Sequence, residues 1–83
     1  MLSELDLKKP SKLDYYVIKK IKERRNELGL SQADLSFELD VSIGFIGQVE
    51  SPNYPAHYNL RHLNLLAKIL KCSLHDFFPK NRI

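Results

Sequence analysis

The sequence predicts an all-α domain of five short helices. Its apolar residues recur at intervals of three and four, which is the spacing of one helix face, and no segment alternates in the manner of a strand. A serine or asparagine that is able to cap a helix stands before each predicted helix. With 83 residues the chain has room for one hydrophobic core, so we expect a single compact domain.

The first helix is predicted to begin after Ser11 and to end at Gly29. Ser11 and Asp14 have the three-residue spacing of a capping box, and a glycine after the last turn suits the left-handed conformation. Residues 1–10 lack the helical period and end at Pro10, so we interpret them as a flexible N-terminal arm. The stripe of this helix is Leu13, Val17, Ile21, Arg24 and Leu28.

Two shorter helices are predicted to follow, separated by a sharp turn. Ser31 is expected to cap the second helix. Asp40 stands at the turn, since aspartate tolerates left-handed backbone better than most residues. Ser42 is expected to cap a third helix that spans residues 42–50. The inner side chains of the two helices are predicted to be Leu35, Leu39, Ile46 and Val49.

Residues 51–59 contain two prolines and several turn-forming residues, which predict a loop. Asn59 is expected to cap a fourth helix, and Ser73 a last helical turn in which Leu74 and Phe77 are buried. The stripe of the fourth helix is Leu60, Leu63, Leu66, Ala67 and Leu70.

The predicted helices define the limits of the domain. The ordered domain is expected to span residues 11–79, and residues 80–83 form a short C-terminal tail.

The cysteine content and the hydropathy predict a cytoplasmic protein that does not associate with membranes. The single cysteine, Cys72, rules out an internal disulfide and suits a reducing compartment. No apolar run approaches the roughly 20 residues of a membrane helix, and no signal-peptide core follows Met1.

Positive charge is unevenly distributed along the chain. The formal net charge is +3, and eight of the thirteen basic residues lie between Lys8 and Arg25. From Asn26 to Leu60 there is no lysine or arginine. A basic cluster is typical of nucleic-acid binding, but a lysine-rich helix face is also a common solvated surface. Both interpretations stay open at this point.

A longer motif helps to decide between nucleic-acid binding and a merely solvated surface. Residues 24–50 read RRNELGLSQADLSFELDVSIGFIGQVE, and SLHDFF follows later in the chain. The fixed offsets of L-G-L-S-Q-x-x-L, a small residue, V-S and a final V-E resemble the lambda-repressor-like, Cro-type helix-turn-helix family. The resemblance covers residues 13–78, nearly the whole predicted domain.

The resemblance implies sequence-specific binding of double-stranded DNA by a small bacterial-type transcription regulator, with the third helix in the major groove. Binding as a homodimer to paired half-sites is also implied. Contacts to bases are expected from Ser42, Ile43, Gly44, Phe45, Gly47 and Gln48. Contacts to phosphates are expected from Ser31, Gln32, Ser51 and Arg61.

Individual residue types support some of these roles. Gln48 is able to hold adenine through two hydrogen bonds, and Ile43 to pack on a thymine methyl group. Gln32 follows the cap of the second helix, where free backbone N–H groups attract an anion without a lysine. Arg25 and Glu50 match a pair that braces the third helix in this family.

A second function fits the same motif. The absence of basic residues, the apolar third helix and Phe37 at a solvent-facing position are also features of a protein-interaction module, or of an antitoxin-like partner binder, with weak or lost DNA binding. The C-terminal residues Leu74, Phe77, Phe78 and Ile83 are expected either to form a dimer or partner surface or to complete a small core.

Enzymatic, metal and cofactor chemistry is not predicted. Cys72 and His75 have a metal-like spacing, but zinc needs three or four ligands and the sequence supplies no others nearby. No set of nucleophile, base and orienting residue is evident.

Overall fold

Four α-helices and a closing 3₁₀ helix follow one another in the computed structural model, which describes residues 9–83. They are α1 (Lys12–Glu27), α2 (Gln32–Leu39), α3 (Phe45–Glu50), α4 (Leu60–Ile69) and the 3₁₀ helix (Leu74–Phe77). The described residues contain no strand. The all-α prediction is therefore confirmed, with the fifth helix as a 3₁₀ turn. Apart from Lys9 and Pro10, the proposed N-terminal arm lies outside the described residues.

Capping boxes begin four of these helices, as their sequences indicate. The N-caps are Ser11, Ser31, Asn59 and Ser73. In each case the side chain three positions later accepts a hydrogen bond from the backbone N–H of the cap residue. At α2 the backbone N–H of Asp34 donates to Ser31 Oγ (2.9 Å), and the Ser31 N–H donates to the Asp34 carboxylate (2.9 Å). Hydrogen bonds from the Ser31 backbone N–H and from the Ser31 hydroxyl to the carboxylate lower the pKa of Asp34.

The prediction for the start of α3 is wrong. The helix begins at Phe45, its N-cap is Gly44, and no side chain caps it. Residues 43–44 instead form a turn that is closed by a hydrogen bond from the Phe45 N–H to the Ser42 carbonyl (2.9 Å). Ser36 Oγ donates to the Ile43 carbonyl (3.2 Å) and holds this residue against α2. This tertiary bond, together with the low helix propensity of glycine, shortens α3 to six residues.

The hydrophobic core takes side chains from every helix. Residues with less than 2% exposure include Ile21 of α1, Leu35 of α2, Ile46 of α3, Leu66 of α4 and Phe77 of the 3₁₀ helix. Because all five elements meet here, truncation of one such leucine to alanine is expected to cost about 2–5 kcal/mol.

Four leucines that the sequence places in an apolar stripe or in the core are exposed instead. Each lies in the first turn of its helix or at its C-terminal end. They are Leu13 (41% exposed), Leu28 (37%), Leu60 (81%) and Leu74 (39%). In α1 the buried basic residue is Arg25, not the predicted Arg24.

The C-terminal aromatic residues belong largely to the core. Phe77 is 1% exposed and Phe78 packs against the core, so of the two alternatives left open by the sequence, completion of a small core holds for Phe77. Burial of this ring is what joins the 3₁₀ helix to α1 and α4. Leu74 and Ile83 remain exposed at this end of the chain.

Between residues 9 and 83, no helix has the length and apolar character needed to cross a membrane. In the same range, no three His, Cys, Asp or Glu side chains are grouped so as to hold a metal ion.

Candidate nucleic-acid interface

Helices α2 and α3 are joined by a tight turn with left-handed backbone. Asp40 has φ 59° and ψ 48°, as expected for the residue at the turn. The Val41 N–H donates to the Ser36 carbonyl (3.1 Å) and closes the turn. Ser36 is 1% exposed, so its small side chain permits the close approach of this turn to α2. The arrangement is a helix-turn-helix.

The structure brings together Arg25 and Glu50. Arg25 Nε donates to Glu50 Oε2 (2.9 Å) and Arg25 Nη2 to Oε1 (2.8 Å), a bidentate pair. The exposed fractions of the two side chains are only 9% and 2%. Arg25 Nη1 also donates to the Leu30 carbonyl (2.7 Å), just before α2. One guanidinium therefore links α1, the end of α3 and the approach to α2.

Gln32 adds a third member to this network, which the sequence did not reveal. Its Nε2 donates to Glu50 Oε1 (3.1 Å), the same oxygen that accepts from Arg25. Gln32 is exposed at the start of α2, so its amide lies on the surface while its partner carboxylate is buried. The two residues are 18 positions apart, and no spacing rule connects them.

The candidate base-contacting residues divide into two groups. Ser42, Ile43, Gly44 and Gln48 are exposed, with Ile43 at 77%. Phe45 does not face outward as expected, because its ring packs on His62 (5.1 Å between centroids) and Tyr58 (6.2 Å). Gly47 is half-buried beneath Gln32.

The candidate phosphate-contacting residues lie around these helices. Ser31 and Gln32 are exposed at the start of α2, and Arg61 is exposed in the first turn of α4. Ser51 is half-buried after α3, where its Oγ accepts from the Asn53 N–H (3.3 Å). Because residues 26–60 contain no lysine or arginine, Arg61 is the nearest basic residue that follows α3 in the chain.

A group of aromatic side chains supports the start of α3. Tyr58 is 6% exposed, and its hydroxyl has no hydrogen-bond partner among the described residues. Burial, followed by the charge of Glu50, raises the Tyr58 pKa. His62 Nδ1 accepts from the Asn59 N–H (3.1 Å), and burial together with Arg61 lowers the His62 pKa. The role of His62 is not evident from the sequence, because a capping box ordinarily has glutamate or glutamine at this position.

Phe37 lies on α2 with 83% of its surface exposed. This placement agrees with the solvent-facing position expected from the sequence. An aromatic ring left in solvent to this extent is a candidate contact for another macromolecule.

The geometry of α2 and α3 defines a class of protein, and the family comparison agrees with it. The model of the Helix-turn-helix family matches residues 21–77, which is more than half of the chain. The chain belongs to the lambda-repressor-like helix-turn-helix family, a class of DNA-binding transcription regulators and not a class of enzymes. None of the curated proteins matches the sequence significantly.

Solved structures of one regulator, SinR, share this fold. The N-terminal DNA-binding domain of SinR from Bacillus subtilis is 21% identical, with a TM-score of 0.63 over 82% of this chain and 99% of that domain. SinR, a master regulator of biofilm formation, in complex with DNA gives 23% identity and a TM-score of 0.62 over 74% and 95%. The complex of SinR with SinI gives 22% identity and a TM-score of 0.64 over 77% and 61%.

Proposed function

We propose that this protein binds double-stranded DNA sequence-specifically through α2 and α3 and regulates transcription in the cytoplasm. The observation that carries the proposal is the buried bidentate pair of Arg25 and Glu50. This pair fixes a short α3 whose outer surface is left exposed. Membership in a family of DNA-binding regulators supports it.

The exposed residues around α3 are the proposed base contacts. Gln48 offers one donor and one acceptor to adenine, and Ile43 offers apolar contact to a thymine methyl group. Gly44 lets the backbone approach the base edges closely. Ser42, exposed in the turn before α3, completes this set.

Phosphate contacts are proposed for Gln32 and Ser31 at the start of α2, for Ser51 after α3 and for Arg61 on α4. Hydrogen bonds from amides, hydroxyls and helix N-termini position a protein on DNA without net charge. Since Arg61 is the one basic residue of this set, the logarithm of affinity should fall only shallowly with the logarithm of salt concentration, with a slope of about −1 for each protomer.

A homodimer is the proposed functional unit, because a single module with so few phosphate contacts binds weakly. Exposed apolar residues at the C-terminal end, among them Leu74 and Ile83, are the proposed source of the dimer contact.

Selection of bound sequences from a random duplex pool, followed by salt titration on the selected site, tests the function. Gln48→Ala should lose about tenfold or more in affinity where an adenine is selected. Asn26→Ala, which removes another exposed amide, is the control. If wild type shows no salt-dependent binding at low salt, the DNA-binding proposal fails. If Gln48→Ala keeps full affinity, only the proposed base contact of Gln48 is contradicted.

Protein binding is the second candidate, and the exposure of Phe37 favours it. In this case a partner should co-purify with the protein, and Phe37→Ala should weaken its retention. Tyr54→Ala, which removes a 51% exposed ring elsewhere, should not. If both variants retain the partner equally, Phe37 is not the contact.

A further inference from the structure

Gly47 lies where any side chain would disturb Gln32. A Cβ atom placed on Gly47 would stand 3.1 Å from Gln32 Oε1 and 3.8 Å from Gln32 Cδ. The distance of 3.1 Å is shorter than an ordinary contact between a methyl group and an amide oxygen. The backbone of Gly47 is not left-handed, so this glycine is not required by its φ angle. What it supplies is space for the amide of Gln32.

The nitrogen of the Gln32 side-chain amide is held by a hydrogen bond to Glu50. Gln32 Nε2 donates to Glu50 Oε1 (3.1 Å), and Glu50 is fixed by two bonds from Arg25. The oxygen of the amide faces α3 at Gly47, and its nitrogen faces the carboxylate. One of the two Nε2 hydrogens is used in this bond, which leaves the other to donate elsewhere.

We infer that Gly47 is a positioning residue for the DNA contact of Gln32. By lacking a side chain, it lets the Gln32 amide lie across α3 and reach Glu50, so that one N–H is directed outward before DNA arrives. The inference rests on the proposed phosphate contact of Gln32. Ordering this side chain in the free protein removes an entropic cost from binding.

Substitution of Gly47 by alanine separates positioning from folding. Alanine favours the helix over glycine, and the flexible end of Gln32 is able to move away, so the fold should be retained. The displaced amide should lose its bond to Glu50. Affinity for a short fluorescent duplex of mixed sequence should then fall roughly threefold to tenfold, the usual effect of freeing one long side chain.

A double-mutant cycle shows whether Gly47 acts through Gln32. In a Gln32→Ala background, Gly47→Ala should cause no further loss of affinity, since the amide is already absent. An equal loss in both backgrounds would mean that the new methyl group meets DNA directly, and the inference would be wrong.

The side-chain amide resonances of the full chain test the positioning without DNA. The chain has two glutamines, so exposed Gln48 is an internal reference for Gln32. In wild type one Gln32 Nε2 proton should be shifted downfield and exchange more slowly than those of Gln48, and Gly47→Ala should remove the difference. Equivalent behaviour of the two glutamines in wild type overturns the inference, even if the duplex is bound. Absence of duplex binding with a shifted Gln32 proton would overturn the DNA-binding function and leave the positioning intact.

Discussion

A single oxygen of a buried side chain, Glu50 Oε1, connects the three helices α1, α2 and α3. It accepts from Arg25 of α1 and from Gln32 of α2, and it belongs to the last residue of α3. Loss of one partner of a buried ion pair typically costs about 3–5 kcal/mol, because the other charge is left without compensation. The same atoms therefore contribute to stability and to the orientation of an exposed amide.

Replacement of Tyr58 by phenylalanine should stabilise the protein. The hydroxyl is buried without a hydrogen-bond partner among residues 9–83, and an unsatisfied polar group of this kind costs about 1–3 kcal/mol. Its removal should raise the free energy of unfolding by about 1 kcal/mol in urea denaturation. Tyr54→Phe, at a 51% exposed ring, should leave the free energy unchanged. A loss of stability in Tyr58→Phe would reveal a partner for the hydroxyl.

At the scale of the elements, the C-terminal end of α4 is capped by a side chain from α1. Arg24 Nε donates to the Leu70 carbonyl (2.8 Å) and Nη2 to the Lys71 carbonyl (3.3 Å). These carbonyls lie at the end of a helix, where the helix itself supplies no donor. Lys71 has φ 55°, so the chain turns sharply here without a glycine.

Arg24→Ala should therefore lower stability by about 1 kcal/mol, since two helix-terminal carbonyls lose a charged donor that is partly screened by solvent. Urea denaturation measures the change, and hydrogen exchange should locate it in α4. Glu27→Gln is the matched control. It removes only the exposed ion pair of Arg24 (3.1 Å), which is worth little. Equal effects of both variants would show that the bonds from Arg24 to the two carbonyls contribute nothing to stability.

His62 in the first turn of α4 should make the free energy of unfolding dependent on pH. His62 accepts a hydrogen bond at Nδ1 from the cap residue Asn59, and burial together with Arg61 holds its pKa below the ordinary 6.5. The unfolded chain therefore binds the proton more readily than the folded one. The stability contribution of neutral His62 is complete above about pH 6.5 and is lost as the pH falls through the lower folded pKa.

Urea midpoints at about pH 7.5 and about pH 5 measure this dependence. His62→Gln keeps a residue suited to the third position of a capping box but does not titrate, so the difference between the two midpoints should shrink. An unchanged difference would assign the pH dependence to other groups.

At the scale of the whole molecule, local signals predicted most of the fold. Ser11, Ser31, Asn59 and Ser73 marked four helix starts, because a cap depends only on residues three positions away. The start of α3 was mispredicted for the opposite reason. It is set by the bond from Ser36 to the Ile43 carbonyl, which joins two elements.

The candidate site was predictable only in part. The family resemblance and the charges of Arg25 and Glu50 indicated their pairing. The bond between Gln32 and Glu50 joins residues that only the folded chain brings together. The sequence places Phe45 on the outer face of α3, because its helical position does not show its packing partners. These are Tyr58 and His62, which come from a loop and from α4.

The brevity of α3 has a consequence for the proposed base contacts. The buried side chains of this helix are those of Ile46, Val49 and Glu50, so its outer positions contribute little to folding. A side chain added at Gly44 meets no atom within 4 Å, and the φ of this residue is negative. Substitutions at Gly44 and Gln48 therefore need no repacking of the core, so the proposed base contacts are able to change while the scaffold stays the same.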